Sequence, residues 1–381
     1  MKLAFLLYKY FPYGGMQRDF RRFVEECQAR GHHCRIYYIS WQGDAIADAE
    51  LRHVPVKANT HHRRNEKFLA WVSSDLAADP VDGVVGFNKM PGLDVYYAAD
   101  SCYLDKALNE RGVLYRRGGR FRHFSAYEAA VFGPQSDTEI LLISETEKAK
   151  FVQHYHTDEA RMHMLPPGIS PDRRAGPDAA ERRRAAREQL GAETGEMLLL
   201  FVGSGFIKKG LDRALHALAH VREEQPHQKI RLLVVGQDKT RRFRWLARKL
   251  KVDEYVEFLG GRDDIPELLL AADTLIHPAL DEAAGIVLLE ALVAGLPVIC
   301  TEVCGYAHHI VRAKAGLVLR SPFQQEDLNL AVLRCLDGVY RQQCRDTGLV
   351  YAEVTDLYSM HSTGAEIIER SVMHKLDKAR G

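Results

Sequence analysis

The sequence predicts an α/β protein built from two doubly wound domains. Three observations carry this reading. Short apolar runs alternate with helix-length amphipathic stretches along nearly all of the 381-residue chain, the pattern of parallel sheets covered on both faces. The alternation comes in two series, separated by a polar, arginine-rich stretch at 171–190 that is punctuated by Pro171 and Pro177. The composition, 46% hydrophobic and 27% charged, is globular. The length suits two domains of roughly 150 residues or a little more.

Each element follows in order. A strand at 2–7 leads through a Pro/Gly turn into a helix over 16–30. Strands follow at 33–39, 83–87, 94–98 and 139–143. A last run at 162–165 stops at Pro166-Pro167-Gly168, because proline supplies no N–H to a ladder. These elements bound an N-terminal domain over 1–168. The second series has strands at 197–202, 231–235, 255–259, 273–277, 297–300 and 317–319, with helices between them. It defines a C-terminal domain over 169–355. The segment from about 356 to 381 reads as a helix crossing back to the first domain. The most apolar stretch, 283–300, carries Glu290 in its middle and is broken by Gly295 and Pro297. It reads as a buried helix and strand and is too interrupted to span a membrane.

Lys and Arg total 52 and Asp and Glu total 51, a net charge of +1 that argues against a general nucleic-acid binder. The six apolar residues at 3–8 are too few for a signal peptide. The seven cysteines form no C-x-x-C pair. Reduced thiols in a cytoplasmic protein are the expectation. No D-x-D or H-x-x-E-H pattern offers a metal site, so no metal and no cofactor are expected.

In parallel sheets the informative residues lie just after each strand. After the first strand come Gly14 and Gly15, opening a helix. Bare backbone N–H groups at a helix start suit a phosphate, although a plain βα turn uses the same residues. Asp19 follows one turn later, either as a helix-start acid or as an acceptor contact. After residues 197–202 the chain reads Gly203-Ser204-Gly205-Phe206-Ile207-Lys208-Lys209-Gly210. Lysines are unfavourable at a helix N-terminus, so their presence there points to a diphosphate. After 275–278, Glu282 reads as a loop residue and Glu290 as a helix residue among Val287, Leu288, Leu289, Leu292 and Val293. A buried carboxylate needs a partner. A ribose diol and a backbone donor both qualify.

These features resemble the retaining, nucleotide-sugar-dependent glycosyltransferases of the GT-B fold, glycosyltransferase family 4. Longer strings (FPYGGMQRDF, GFNKMPGLDVYYAAD, PPGISPDR, VVGQDK, HPALDEAAGIVLLEA and VCGYAHHI) resemble the branch that glucosylates the heptose region of the Gram-negative lipopolysaccharide core. The resemblance implies two Rossmann-like domains with a deep interdomain cleft. It also implies a UDP-sugar donor bound by the C-terminal half, and a lipopolysaccharide inner-core heptose as acceptor. Glu290 would bind the ribose hydroxyls and Glu282 those of the donor sugar. Lys208 and Lys209 would hold the diphosphate, with Gly15 and Gly285-Ile286 giving backbone donors. Arg173 would reach the cleft, and the stretch ending at Arg262 would frame the uracil. Two departures stand out. Asp100 occupies a place where many relatives carry a histidine. Lys208-Lys209 replaces an arginine–lysine pair, so the charge is kept and the bidentate fork is not.

One feature stands apart from the resemblance. Residues 111–123, RGVLYRRGGRFRH, hold Arg111, Arg116, Arg117, Arg120 and Arg122 with no acid. Interleaved aromatics suit an anionic membrane surface, with Tyr115, Phe121 and Phe124 expected to enter it. A solvated helix is the plain alternative. Together with the implied lipid-linked acceptor, this segment suggests peripheral attachment to the cytoplasmic face of the inner membrane.

Overall fold

The computed structural model describes residues 1–12 and 14–380. Two compact units divide the chain, one of Met1–Gly168 with Ser359–Gly381 and one of Ile169–Tyr358. The first unit runs β1 (Lys2–Leu6), β2 (Lys9–Tyr10), α1 (Gly15–Ala29), β3 (His33–Tyr38), β4 (Ser40–Trp41), β5 (Glu50–His53), α2 (His61–Ala78), β6 (Gly83–Gly86) and β7 (Val95–Ala98). It continues with α3 (Tyr103–Glu110), α4 (Val113–Arg116), α5 (Gly119–Phe132), β8 (Glu139–Leu142), α6 (Glu145–Tyr155) and β9 (Met162–Met164). The second unit runs α7 (Ala179–Gln189), β10 (Met197–Val202), α8 (Leu211–Glu224), β11 (Ile230–Val235), α9 (Arg241–Lys249), β12 (Val256–Gly260), α10 (Ile265–Ala271) and β13 (Thr274–His277). It then adds α11 (Ile286–Val293), β14 (Val298–Thr301), α12 (Ala307–Ala313), β15 (Gly316–Leu319), α13 (Gln325–Arg334) and α14 (Gly338–Val354). The last helix, α15 (Met360–Arg380), belongs to the first unit.

Both main sheets are parallel, in the orders β5-β3-β1-β6-β7-β8-β9 and β12-β11-β10-β13-β14-β15. Alternate residues of one strand feed the cores on opposite faces. Along β10, Leu198 and Leu200 join one buried cluster while Met197, Leu199 and Phe201 join the other. This two-sided burial explains why the strands read as unbroken apolar runs. Each buried Leu or Phe contributes roughly 1.5–3 kcal/mol. In the first unit, Phe5, Phe20, Phe23, Phe87 and Tyr97 pack ring against ring.

Two sequence expectations change. The 171–190 stretch contains α7, whose arginines are structural. Arg182 pairs with Glu267, and Arg183 and Arg187 pair with Asp273. Pairing across nearly ninety positions of chain leaves no local signature. The strands β2, β4 and β5 were not expected. β5 is an edge strand of mixed polarity, and β2 and β4 form a separate two-stranded sheet.

Candidate active site

A doubly wound sheet opens a crevice where its strand order reverses. In the second unit that place lies between β10 and β13. The loops leaving these two strands hold most of the candidates. The first loop starts at Gly203 and enters α8 at Gly210. Gly210 has φ +74°, and a β-carbon there would collide with the Pro278 carbonyl, so only glycine fits. The Leu280 N–H donates to the Lys208 carbonyl at 2.7 Å. Arg213 donates to the Pro278 and Ala279 carbonyls at 3.1 and 3.2 Å. The lysine loop is therefore fastened beside the loop that carries Glu282.

Lys209 turns toward that second loop and pairs with the Glu282 carboxylate. His277, the last residue of β13 and 1% exposed, places Nε2 3.3 Å from the same carboxylate. Burial, helped by the Lys208 charge, pulls the Lys209 ammonium down to about 8. Cys304 and Asp281 oppose that pull, and the group, in contact with the Glu282 carboxylate, is cationic at neutral pH. Burial and the Lys209 charge push His277 down to about 3. A neutral imidazole meets a carboxylate through an N–H, so Nε2 carries the proton. Nδ1 is buried with no hydrogen-bond partner. Lys208 is far more exposed, with Nζ 3.5 Å from Asp281.

Glu290 lies on α11, a helix buried on all sides through Val287, Leu288, Leu289, Ala291 and Leu292. Its partner is Arg173, whose Nε lies 3.4 Å from Oε1. Arg173 comes from the short turn Pro171–Arg173. Its Nε and Nη1 are buried and make no hydrogen bond. The pair is ionic, and the guanidinium keeps donors for a further acceptor. Gly285, at φ +83°, caps α11 and Ile286 begins it; the Leu288 N–H donates to the Gly285 carbonyl at 3.0 Å, and the N–H groups of Ile286 and Val287 precede any helical acceptor. Arg262 binds Asp264 through Nε at 2.7 Å and through a second, Nη2 contact.

In the first unit the order reverses between β1 and β6. Gly14 caps α1, and a β-carbon there would strike Gln17 and Phe11. Gly15, the first residue of α1, is exposed, and a β-carbon there would meet nothing within 4 Å. Asp100 is exposed, two residues beyond β7. Asp19 departs from expectation. It lies past the first turn of α1, and both its oxygens are engaged, by the Tyr97 hydroxyl at 2.8 Å and by His361 at 3.1 Å. It straps α15 onto α1 and presents no free carboxylate to an acceptor.

The basic segment also needs correcting. Arg111, Arg117, Arg120 and Arg122 are exposed. Arg116 turns inward, and its Nη2 donates to the Leu108 and Arg111 carbonyls at 2.6 and 3.1 Å. The aromatics do not face outward either. The Tyr115 and Tyr103 hydroxyls bond at 2.8 Å, and Phe121 and Phe124 pack on the Tyr103 ring. The exposed apolar side chains are Val113 and Leu114, at 63% and 82%. The sequence reading missed His277 as a site residue. A histidine ending an otherwise apolar strand just before Pro278 was the available signal.

The two parallel-sheet units match the GT-B glycosyltransferase fold. Lipopolysaccharide glucosyltransferase WaaG of Escherichia coli (strain K12) is 48% identical over 369 residues, 97% of this chain and 98% of that one. A crystal structure of WaaG, described as a glycosyltransferase involved in lipopolysaccharide biosynthesis, superposes with a TM-score of 0.91 over 96% of this chain and 99% of that chain. Sucrose-phosphate synthase from Thermosynechococcus elongatus, at 17% identity, shares the fold with a TM-score of 0.78, covering 98% of this chain and 99% of that one. The family model for glycosyl transferases group 1 matches residues 182–348. This chain belongs to the group 1 glycosyltransferases, in the same branch as WaaG.

Proposed function

We propose that the protein transfers glucose from UDP-glucose to a heptose of the lipopolysaccharide inner core, retaining the anomeric configuration and using no metal ion. The carrying observation is 48% identity along 97% of the chain to a lipopolysaccharide glucosyltransferase. The gathering of Lys209, Glu282 and Glu290 in the loops and helix that follow β10 and β13 supports the donor assignment. Glu290 accepts the ribose hydroxyls, and the unsatisfied Arg173 donors meet a phosphate oxygen. Lys208, Lys209 and the N–H groups after Gly285 stabilise charge on the departing diphosphate. Glu282, oriented by His277, accepts sugar hydroxyls. The bond from the sugar C1 to phosphate oxygen breaks as the bond to the acceptor oxygen forms on the same face. The departing phosphate takes the acceptor proton. The exposed arginines at 111, 117, 120 and 122, with Val113 and Leu114, hold the enzyme at an anionic bilayer near its lipid-linked acceptor.

Purified protein should add one hexose to heptose-terminated core, read by mass spectrometry across a panel of UDP-sugars. UDP-glucose should be preferred, the new linkage should keep the donor's anomeric configuration, and EDTA should leave the rate unchanged. Loss of turnover on chelation, restored by Mg²⁺ or Mn²⁺, would reject the all-cationic phosphate site. Tight UDP-sugar binding with no transfer would reject the enzymatic reading.

A further inference from the structure

The helix α9 presents charge that the fold does not neutralise. Between Asp238 and Asp253 the chain holds no acid. Arg241, Arg242, Arg244, Arg248, Lys249 and Lys251 are all exposed there. Among the described residues none of these six has a carboxylate within ion-pair distance. The arginines of α7, by contrast, pair with Glu267 and Asp273. The inner face of α9 is occupied. Phe243 and Ala247 are buried, and the Phe243 ring stands edge-on to Phe206 of the lysine loop at 5.7 Å. Its outer face carries Trp245, 60% exposed, with Lys249 Nζ 5.6 Å from the ring.

We propose that α9 docks the second unit on an anionic lipid bilayer, independently of residues 111–122 in the first unit. A tryptophan amid cations on one side of a short helix is the arrangement that settles at a headgroup layer. Each Lys or Arg brought near such a surface raises partitioning about fivefold. A single-stranded nucleic acid is served instead by a groove that tracks its backbone, and α9 offers the outer face of one helix. The whole chain carries only +1, so local concentration of charge supplies the attraction. Phe206 lies on the lysine loop, so docking through α9 brings that loop close to the bilayer.

Trp245 supplies the probe, since the chain has three tryptophans. With vesicles of phosphatidylglycerol and brominated phosphatidylcholine, emission of the full-length protein should shift blue and be quenched. Trp245→Phe should lose most of that signal while Trp41 and Trp71 remain. Changing Arg241, Arg242, Arg248 and Lys249 to Gln should lower vesicle affinity at least tenfold at low salt, and should do so again when Arg111, Arg117, Arg120 and Arg122 are already Gln. Bound protein with Trp245 unquenched would overturn the proposal, as would a quadruple α9 variant that binds like the wild type. Loss of single-stranded RNA binding with vesicle affinity intact would assign the face to nucleic acid.

Discussion

Lys209 is held between two opposing demands: burial disfavours its charge, while Glu282 and an incoming diphosphate require it. With the ammonium pulled down to about 8, the donor site of the free enzyme should lose its cation as pH rises through 8. kcat/KM for the donor should therefore fall above about pH 8. The limb in kcat should lie higher, because bound diphosphate favours the protonated form. Lys209→Arg should abolish the kcat/KM limb, and Lys209→Ala should lower kcat roughly 10²–10³-fold, as loss of a partner to developing charge does. A wild-type profile flat to pH 10 would contradict this. His277 makes the complementary prediction. Folded, it stays neutral down to about pH 3; unfolded, it takes a proton near the ordinary 6.5. Between these values the unfolded chain binds more protons, so acidification destabilises the fold, by about 2 kcal/mol from pH 7 to 5. His277→Gln should remove most of that acid sensitivity, seen in urea midpoints at the two pH values. Glu282, Glu290 and the lysines were legible because charge in apolar or helix-start settings is conspicuous. His277 was not, because its role exists only once β13 and the 278–285 loop are folded together.

Strands buried on both faces announce themselves as apolar runs, and all the strands expected from the sequence formed within a residue or two of their places. Elements defined by long-range pairing did not announce themselves. α7 depends on Glu267 and Asp273, and the α3–α5 segment depends on buried acids. Glu128, fully buried, accepts from Tyr103 N–H at 2.8 Å, Leu104 N–H at 2.9 Å and Tyr155 hydroxyl at 2.7 Å. Glu147 accepts from Cys102 N–H at 2.6 Å. These carboxylates cap α3 and set which side of the segment points outward. Composition alone supplies five arginines; the fold sorts them into four outward and one inward. Gln at positions 111, 117, 120 and 122 should reduce cosedimentation with anionic vesicles at low salt, with the difference shrinking as salt rises. Arg116→Gln should leave vesicle binding unchanged and lower thermal stability, because it uncaps the end of α3. Equal loss of vesicle binding from Arg116→Gln and from the outward set would refute this sorting.

The chain leaves the first unit once, at Gly168, and re-enters it at Ser359. The return to the first domain was legible as a helix-length segment at the end of the chain, but the residues that receive it were not. Gly364 lies so close to Phe23 that a β-carbon would overlap the ring. Val372 fills the space opposite Gly83 of β6, which has no side chain to contest it. Ile368 and Val372 are fully buried. Arg30 pairs with Glu366 and Glu369, His32 meets Glu369 at 2.6 Å, and His361 meets Asp19. α15 is thus core material for the first unit, although the whole second unit precedes it in sequence. Deleting residues 359–381 would uncover Phe23, Gly83 and their neighbours. Each large side chain exposed costs roughly 1.5–3 kcal/mol, so three or four together approach the 5–15 kcal/mol typical of a whole domain. The truncated chain should therefore show an early calorimetric transition for the first unit. The second unit holds its own two buried clusters, and should unfold at its original temperature and still bind UDP. A single unchanged transition after truncation would show that α15 is dispensable to the first unit's core.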